Sequence, residues 1–320
     1  MKKVSMLLMI VMLTAVLAAC GTVNKSDGGS GAGGGEQTSG GTMKISHELG
    51  ETEVPVNPKR VVVFDFGILD SMDKLGIEVI AVPQANIPPY LSKYNDSKYE
   101  NVGSLKEPDF EKIHKLKPDV IIISSRQQEA YKELSEIAPT VYMGVNPSKY
   151  MDSFKENMNK LGQIFGKEAE VKKEMEAIDK QIAALNEKAK ATGKNALVIM
   201  ANEGKISAFG PGSRFGLVHD VFGFEAADSG IEVSKHGKDI SNEYVVEKNP
   251  DYLFVVDRGA VVSTGEHKPA KQTVENELIK TTNAYKDGNI VYLDANYWYL
   301  SGGGLVSVSE MVKEVEQGIK

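Results

Sequence analysis

Two stretches decide the fold: Asp109-Phe110-Glu111-Lys112-Ile113-His114-Lys115-Leu116-Lys117-Pro118-Asp119 and Ser241-Asn242-Glu243-Tyr244-Val245-Val246-Glu247-Lys248-Asn249-Pro250-Asp251. A constant offset of 132 residues aligns them, with a Glu near the start and a Pro-Asp pair at the end of each. Each is a short helical pattern closed by a turn. Each then runs into an apolar, β-branched stretch, Val120-Ile121-Ile122-Ile123 and Tyr252-Leu253-Phe254-Val255-Val256. The same offset carries Arg126 onto Arg258, just past the end of each stretch. A unit of helix, Pro-Asp turn, strand and arginine occurs twice, which predicts two pseudo-symmetric lobes.

Further apolar runs extend the pattern: Arg60-Val61-Val62-Val63-Phe64, Val79-Ile80-Ala81-Val82, Thr140-Val141-Tyr142-Met143, Ala196-Leu197-Val198-Ile199-Met200 and Asn289-Ile290-Val291-Tyr292-Leu293. Continuous apolar strands are those buried on both faces, so the chain reads as α/β with mostly parallel sheets. No strand pattern appears between Val145 and Lys194. There Val171, Met175, Ile178, Ile182, Leu185 and Ala189 recur at alternating spacings of four and three, an amphipathic helix, with helix breaks expected at Gly162 and Gly166. The expected division is an N-terminal lobe over 43–147, a helical backbone over 148–192 and a C-terminal lobe over 193–320. A helical backbone bends less than paired β hinges, so a rigid clamp is expected. Open α/β sheets bind ligands beyond the carboxyl ends of their strands, which directs Arg126 and Arg258 toward a shared cleft.

Composition narrows the function. The net charge of −7 argues against nucleic acid as partner, which needs a basic face. A single cysteine excludes an internal disulfide and Cys-rich metal sites. That cysteine, Cys20, closes the run Leu17-Ala18-Ala19-Cys20, after Lys2-Lys3 and the uncharged stretch Val4–Leu17, which is too short to span a bilayer. Residues 1–19 therefore read as a signal peptide, and its removal takes the net charge to −9. Residues 20–42 read as that cysteine followed by a flexible tether, with nine glycines between 21 and 41. The tether's reach is on the order of 25 Å.

The lipobox-like Leu17–Cys20, the glycine tether, the twin Glu-to-Pro-Asp motifs and the central helices together resemble the iron-siderophore-binding lipoproteins of ABC importers, over essentially the whole chain. Val61-Val62-Val63-Phe64-Asp65-Phe66-Gly67, Asn101–Phe110, Ile206-Ser207-Ala208-Phe209-Gly210-Pro211 and Trp298-Tyr299-Leu300-Ser301-Gly302-Gly303-Gly304 look most like the petrobactin-binding lipoproteins of Gram-positive bacteria. The resemblance implies the class III periplasmic-binding-protein fold, two Rossmann-like lobes on a helical backbone with the ligand between them. It implies an anionic ferric catecholate or mixed catecholate–citrate siderophore as ligand, with no cofactor. Cys20 would be diacylated, anchoring a monomer on the outer face of a Gram-positive cell membrane.

By the same resemblance Arg126, Arg214 and Arg258 form a basic triad. Arginine suits such a ligand because it stays protonated and donates in a planar fork. His236 and Tyr299 match positions that complete the iron shell of tetradentate siderophores in some members. Trp298 is expected to offer an aromatic platform beside a flexible glycine turn, with Phe209 and Tyr90 as further pocket walls. Glu111 and Glu243 match the carboxylates that dock onto a permease dimer, with Glu107 as a rival in the first lobe.

Two other readings compete with this one. Haem, a cobalamin or a hydroxamate siderophore would be a related ligand, but a neutral hydroxamate complex needs fewer arginines. An extracellular enzyme has little support, since His-Glu-x-x-His, Gly-x-Ser-x-Gly and a phosphate-loop Lys are all missing and the histidines at 47, 114, 219, 236 and 267 share no ligand spacing.

Overall fold

The computed structural model describes residues 41–263 and 265–320. The expected signal peptide, Cys20 and nearly all of the tether lie outside the described residues.

The first lobe opens with an antiparallel hairpin, β1 (Thr42–His47) and β2 (Gly50–Pro55), which the sequence reading did not anticipate. Its buried Ile45 and Val54 pack on the core, and Thr52 donates to the Thr140 carbonyl at 2.8 Å. Five parallel strands follow, β3 (Val61–Val63), β4 (Ala81–Val82), β5 (Glu100–Asn101), β6 (Val120–Ile123) and β7 (Thr140–Tyr142), in the spatial order β5-β4-β3-β6-β7. This is the doubly wound order, with the reversal between β3 and β6. Helices α1 (Phe66–Lys74), α2 (Phe110–Leu116) and α3 (Tyr131–Ile137) cover the sheet. Strands β3, β6 and β7 are buried at every residue, as their unbroken apolar sequences require.

The backbone is two helices, α4 (Tyr150–Phe165) and α5 (Glu168–Thr192). Gly166 ends α4 in a left-handed conformation, φ 62°, as expected. Gly162 is not a break. It lies inside α4, where a Cβ would sit 3.2 Å from the Cα of Glu168, so its missing side chain lets the chain fold back tightly into α5. The 25 residues of α5 span about 37 Å. That reaches from the Lys74–Glu174 ion pair beside the first lobe to the Asn186 amide on the Val221 carbonyl in the second.

The second lobe holds β8 (Asn195–Asn202), β9 (Lys205–Phe209), β10 (Glu225–Ala226), β11 (Lys238–Ile240), β12 (Tyr252–Asp257) and β13 (Ile290–Leu293). Around them lie α6 (Leu217–Asp220), α7 (Asn242–Lys248), α8 (Gly259–Val262), α9 (Ala270–Val274) and α10 (Asn283–Lys286). The sheet order is β11-β9-β8-β12-β13, with β10 beside β8. Unlike the first sheet it is mixed, because β8 turns straight back into antiparallel β9. Glu203 and Gly204, both at positive φ (49° and 83°), make the two-residue turn that matches strand twist. A last helix, α11 (Leu305–Gly318), leaves the second lobe and packs along α5 and α1.

The repeat is visible in three dimensions. Helices α2 and α7 begin and end at positions 132 apart and close on left-handed residues, Lys117 (φ 46°) and Asn249 (φ 38°). The Asp119 carboxylate then accepts the backbone N–H groups of Lys59 and Arg60 at 2.8 Å, and Asp251 accepts that of Asn195 at 3.1 Å. Each Pro-Asp turn thereby staples its strand to the first central strand of its own lobe.

Candidate functional site

Strand ends set the arginines. Arg126 follows β6 in a short 3-10 turn, Ser125–Ala130, whose start is braced by the side chain of Gln127 on the Ser124 N–H. Arg258 follows β12 and opens α8. Arg214 comes from the loop after β9. There Gly212 takes φ 70°, a left-handed conformation that favours glycine, and a Cβ on Gly216 would approach the Gly212 nitrogen to 2.8 Å, so the turn is too tight for a side chain at Gly216.

These three segments converge on Tyr299. Residues Asn296–Leu300 form a wide turn of π-helical type, closed by the Ser301 N–H on the Asn296 carbonyl at 3.0 Å. Such turns push a residue out of line and recur at functional sites. Arg126 and Arg214 each donate through Nη2 to the Tyr299 carbonyl at 2.6 Å, and Arg258 donates through Nε to the Tyr299 hydroxyl at 2.8 Å. The guanidinium carbons of Arg214, Arg258 and Arg126 lie 4.1, 5.4 and 5.8 Å from the Tyr299 ring centroid. Asn202, at the end of β8, holds the Arg258 Nη1 at 2.7 Å. Arg126 belongs to the first lobe and the others to the second, so the cluster bridges the lobes.

No carboxylate among the described residues pairs with any of the three. The electrostatic result is a concentrated positive charge. Burial and then the neighbouring Arg126 charge push the Arg214 guanidinium down to about 10, which still leaves it protonated at neutral pH. Burial works to raise the Tyr299 phenol, but the Arg258 hydrogen bond and the charges of Arg214, Arg258 and Arg126 outweigh it and hold the phenol below its ordinary value. Such a group of fixed donors is suited to an anion with several oxygens.

The aromatic expectations need correction. Trp298 is only 2% exposed. Its Nε1 donates to Glu314 at 2.8 Å, and its ring meets Phe215 and Phe222 edge-on at 6.4 and 6.3 Å. The wide turn sends Trp298 into the core and its neighbour Tyr299 outward, so Trp298 is no stacking surface. Phe209 is likewise buried, edge-on to Phe215 at 4.7 Å. Tyr90 commits its hydroxyl to Asp70 at 3.1 Å and its ring to Tyr297 at 4.9 Å. His236 is exposed in the loop before β11, with no hydrogen bond or aromatic contact to Tyr299 among the described residues.

Glu111 and Glu243 are exposed in the first turns of α2 and α7. Because each helix leads directly into its strand, its first turn sits at the strand's carboxyl end, the same end as Arg126 or Arg258. The hydroxyl of Ser241 holds the Glu243 carboxyl below its usual range, and Glu111 pairs with Lys115. Glu107 lies outside α2, in the turn that Gly103 and Pro108 bridge. Sequence reasoning missed Asn202 and the buried Asp70. An Asn closing an otherwise apolar strand and an Asp inside the apolar run Phe66–Met72 were the available signals.

Residues 61–297 match the family model described as periplasmic binding protein. Across its whole length the chain is 51% identical to the petrobactin-binding protein YclQ of Bacillus subtilis, covering 100% of each. The YclQ crystal structure superposes with a TM-score of 0.84 at 54% identity, covering 88% of this chain and 99% of that one. The periplasmic catecholate-siderophore binding protein VctP of Vibrio cholerae gives a TM-score of 0.83 at 40% identity, covering 87% and 100%. The putative ABC transporter substrate-binding lipoprotein YhfQ of Bacillus subtilis is 28% identical, over 98% of each chain.

Proposed function

The chain belongs to the periplasmic binding protein family, with the class III fold of two lobes on a helical backbone, and on that premise we propose that it captures a ferric siderophore for import. The relatives are substrate-binding proteins, and the reading is of capture without chemistry. One observation carries it: three arginines from separate segments of both lobes surround Tyr299 with no acidic partner among the described residues. An anionic ferric catecholate or catecholate–citrate complex of the petrobactin type supplies the missing negative charge and presents oxygens to all three forks. The names of YclQ and VctP support this ligand class.

Delivery follows from the same geometry. Glu111 and Glu243 flank the arginine ends of their sheets, so a partner that receives the ligand meets one carboxylate from each lobe. A two-fold permease dimer of an ABC importer offers matching sites. Lipid attachment at Cys20 would keep the protein on the outer face of the membrane, a proposal that the lipoprotein name of YhfQ supports. His236 and Tyr299 complete an iron shell, on this proposal, only for siderophores that leave iron positions open.

The test is titration of the full chain in detergent with ferric petrobactin, ferric hydroxamates and haem, following tryptophan fluorescence. Quenching by ferric petrobactin at the lowest concentration is expected. Saturable quenching by hydroxamates or haem alone would overturn the ligand class.

A further inference from the structure

The geometry points to Asp70 as a positioning residue for the arginine site: from the first lobe it caps α11 and, through that helix's first turn, fixes the segment that presents the Tyr299 carbonyl to Arg126 and Arg214. The inference rests on the ligand site proposed above.

Helix α11 has no N-cap side chain to accept its first N–H groups. Its N-cap residue is Gly304, which has no side chain, and the first backbone N–H groups of a helix have no intrahelical acceptor. Helix α1 supplies the acceptors from more than 230 residues away in sequence. The Leu305 N–H donates to Ser71 Oγ at 2.9 Å, that of Val306 to Asp70 Oδ1 at 3.2 Å and that of Ser307 to Asp70 Oδ2 at 3.0 Å. The Tyr90 hydroxyl also donates to Oδ2, at 3.1 Å, while the Ser71 hydroxyl donates to the Gly67 carbonyl at 2.9 Å. Asp70 is 0% exposed, so these donors replace water completely.

The glycines of Ser301-Gly302-Gly303-Gly304 now acquire a different role from the flexible turn expected earlier. A Cβ on Gly304 would lie 2.1 Å from Asp70 Oδ1 and 2.3 Å from the Gly67 carbonyl. One on Gly67 would lie 2.7 Å from the Ser301 carbonyl. Gly303 takes φ 100°, and a Cβ there would meet Val145 at 2.4 Å. Gly304 is required because α1 seats against it, and Gly303 because of its positive φ and the Val145 side chain beside it.

From that seat a continuous path leads to the arginines. Ser307, held by Asp70 at its nitrogen, donates its hydroxyl to the Ser301 carbonyl at 2.6 Å and accepts the Gly304 N–H at 3.0 Å. Ser301 closes the wide turn on Asn296, and within that turn sits the Tyr299 carbonyl that accepts from Arg126 and Arg214. Tyr90 braces the other side by packing on Tyr297. A carboxylate is the suitable group because both oxygens accept, whereas an amide would turn an NH2 toward a backbone N–H.

The test compares Asp70→Asn, Tyr90→Phe and Ser307→Ala with the unaltered full chain. Two readouts are needed: the Kd for ferric petrobactin, and the alkaline titration of the Tyr299 phenol, taken as the tyrosinate absorbance lost in a matching Tyr299→Phe background. The phenol titration reports how closely the arginines gather and needs no siderophore, so it tests positioning even if the ligand class proves wrong. Asp70→Asn and Ser307→Ala are each expected to raise Kd about tenfold, the equivalent of one such hydrogen bond, and to move the Tyr299 phenol up toward the ordinary tyrosine value. Tyr90→Phe is expected to do less of both. Should Asp70→Asn not fold, Ser307→Ala, which breaks the path beyond the cap, decides the question. Lower thermal stability with Kd and phenol titration both unchanged would reduce Asp70 to a structural cap and overturn the proposal.

Discussion

Replacing Arg214 with Met separates the two effects of its guanidinium. It lies 4.1 Å from the Tyr299 ring centroid, with Arg258 and Arg126 at 5.4 and 5.8 Å from the same point, so neither is more than about 10 Å from it. At an effective dielectric near 20, two unit charges about 10 Å apart repel by about 1.7 kcal/mol, so the two neighbours at this greatest separation together cost the ligand-free protein at least about 3 kcal/mol before screening. Opposing this, the charge-assisted bond to the Tyr299 carbonyl contributes about 1.5–3 kcal/mol. The repulsion matches or outweighs the bond. The ligand-free Met variant should therefore unfold within a few degrees of the parent, at the same temperature or slightly higher. Binding has no such compensation: losing one charge-assisted contact to an anion costs about 1.5–3 kcal/mol, roughly a ten- to 150-fold rise in Kd. Thermal unfolding without ligand and fluorescence titration with ferric petrobactin measure the two quantities on one preparation. Arg214→Lys, which keeps the charge and loses the fork, should fall between parent and Met. A Met variant that loses about 3 kcal/mol of stability while binding normally would show that Arg214 is a strut for Tyr299 and that the ligand contacts lie elsewhere.

Three further outcomes are expected. Glu111→Ala combined with Glu243→Ala should leave ferric-siderophore binding intact and stop iron uptake in cells; loss of binding would place these residues wrongly. Burial pushes the Asp70 carboxyl from 3.8 up to about 7, so the folded protein holds that proton more tightly than the unfolded chain. Stability from this source is full below pH 3.8 and is lost as pH rises through about 7. Glu314, raised by burial from 4.5 to about 7, acts with the same sign, whereas His47 and His219, held below their ordinary value by burial, act oppositely below pH 6.5, so the Asp70 contribution is read as a difference: the stability of the parent relative to Asp70→Asn should fall as pH rises from 3.8 through about 7. A pH dependence identical in parent and variant would contradict the assignment. Because Trp298 donates to Glu314, its emission in the ligand-free protein should titrate near neutrality and lose that transition in Glu314→Gln. Emission that still titrates in the variant would mean another group is being sensed.

Much of the fold was legible because the relevant signals are local or periodic. The 132-residue offset predicted helices whose ends match residue for residue in α2 and α7, and unbroken apolar runs marked the central strands of both sheets. The hairpin of β1 and β2 and the turn at Glu203-Gly204 escaped notice because their strands alternate polar and apolar residues or rely on positive φ at a glutamate. Among site residues, Arg126 and Arg258 were legible from their place after equivalent strands. Trp298 and Tyr299 could not be told apart: adjacent aromatics look alike in sequence, and only the wide turn sends one into the core and the other toward the arginines.

The sequence by itself determined two related α/β units, a helical backbone and the arginines at their strand ends, since these follow from spacing and hydrophobic pattern along the chain. Tertiary structure alone decided that three arginines gather on one tyrosine, that an acid of the first lobe caps the last helix, and that Gly304 is the seat for α1. Those are meetings between segments up to 237 residues apart, and they are set by which buried donors and acceptors find one another once both lobes have packed.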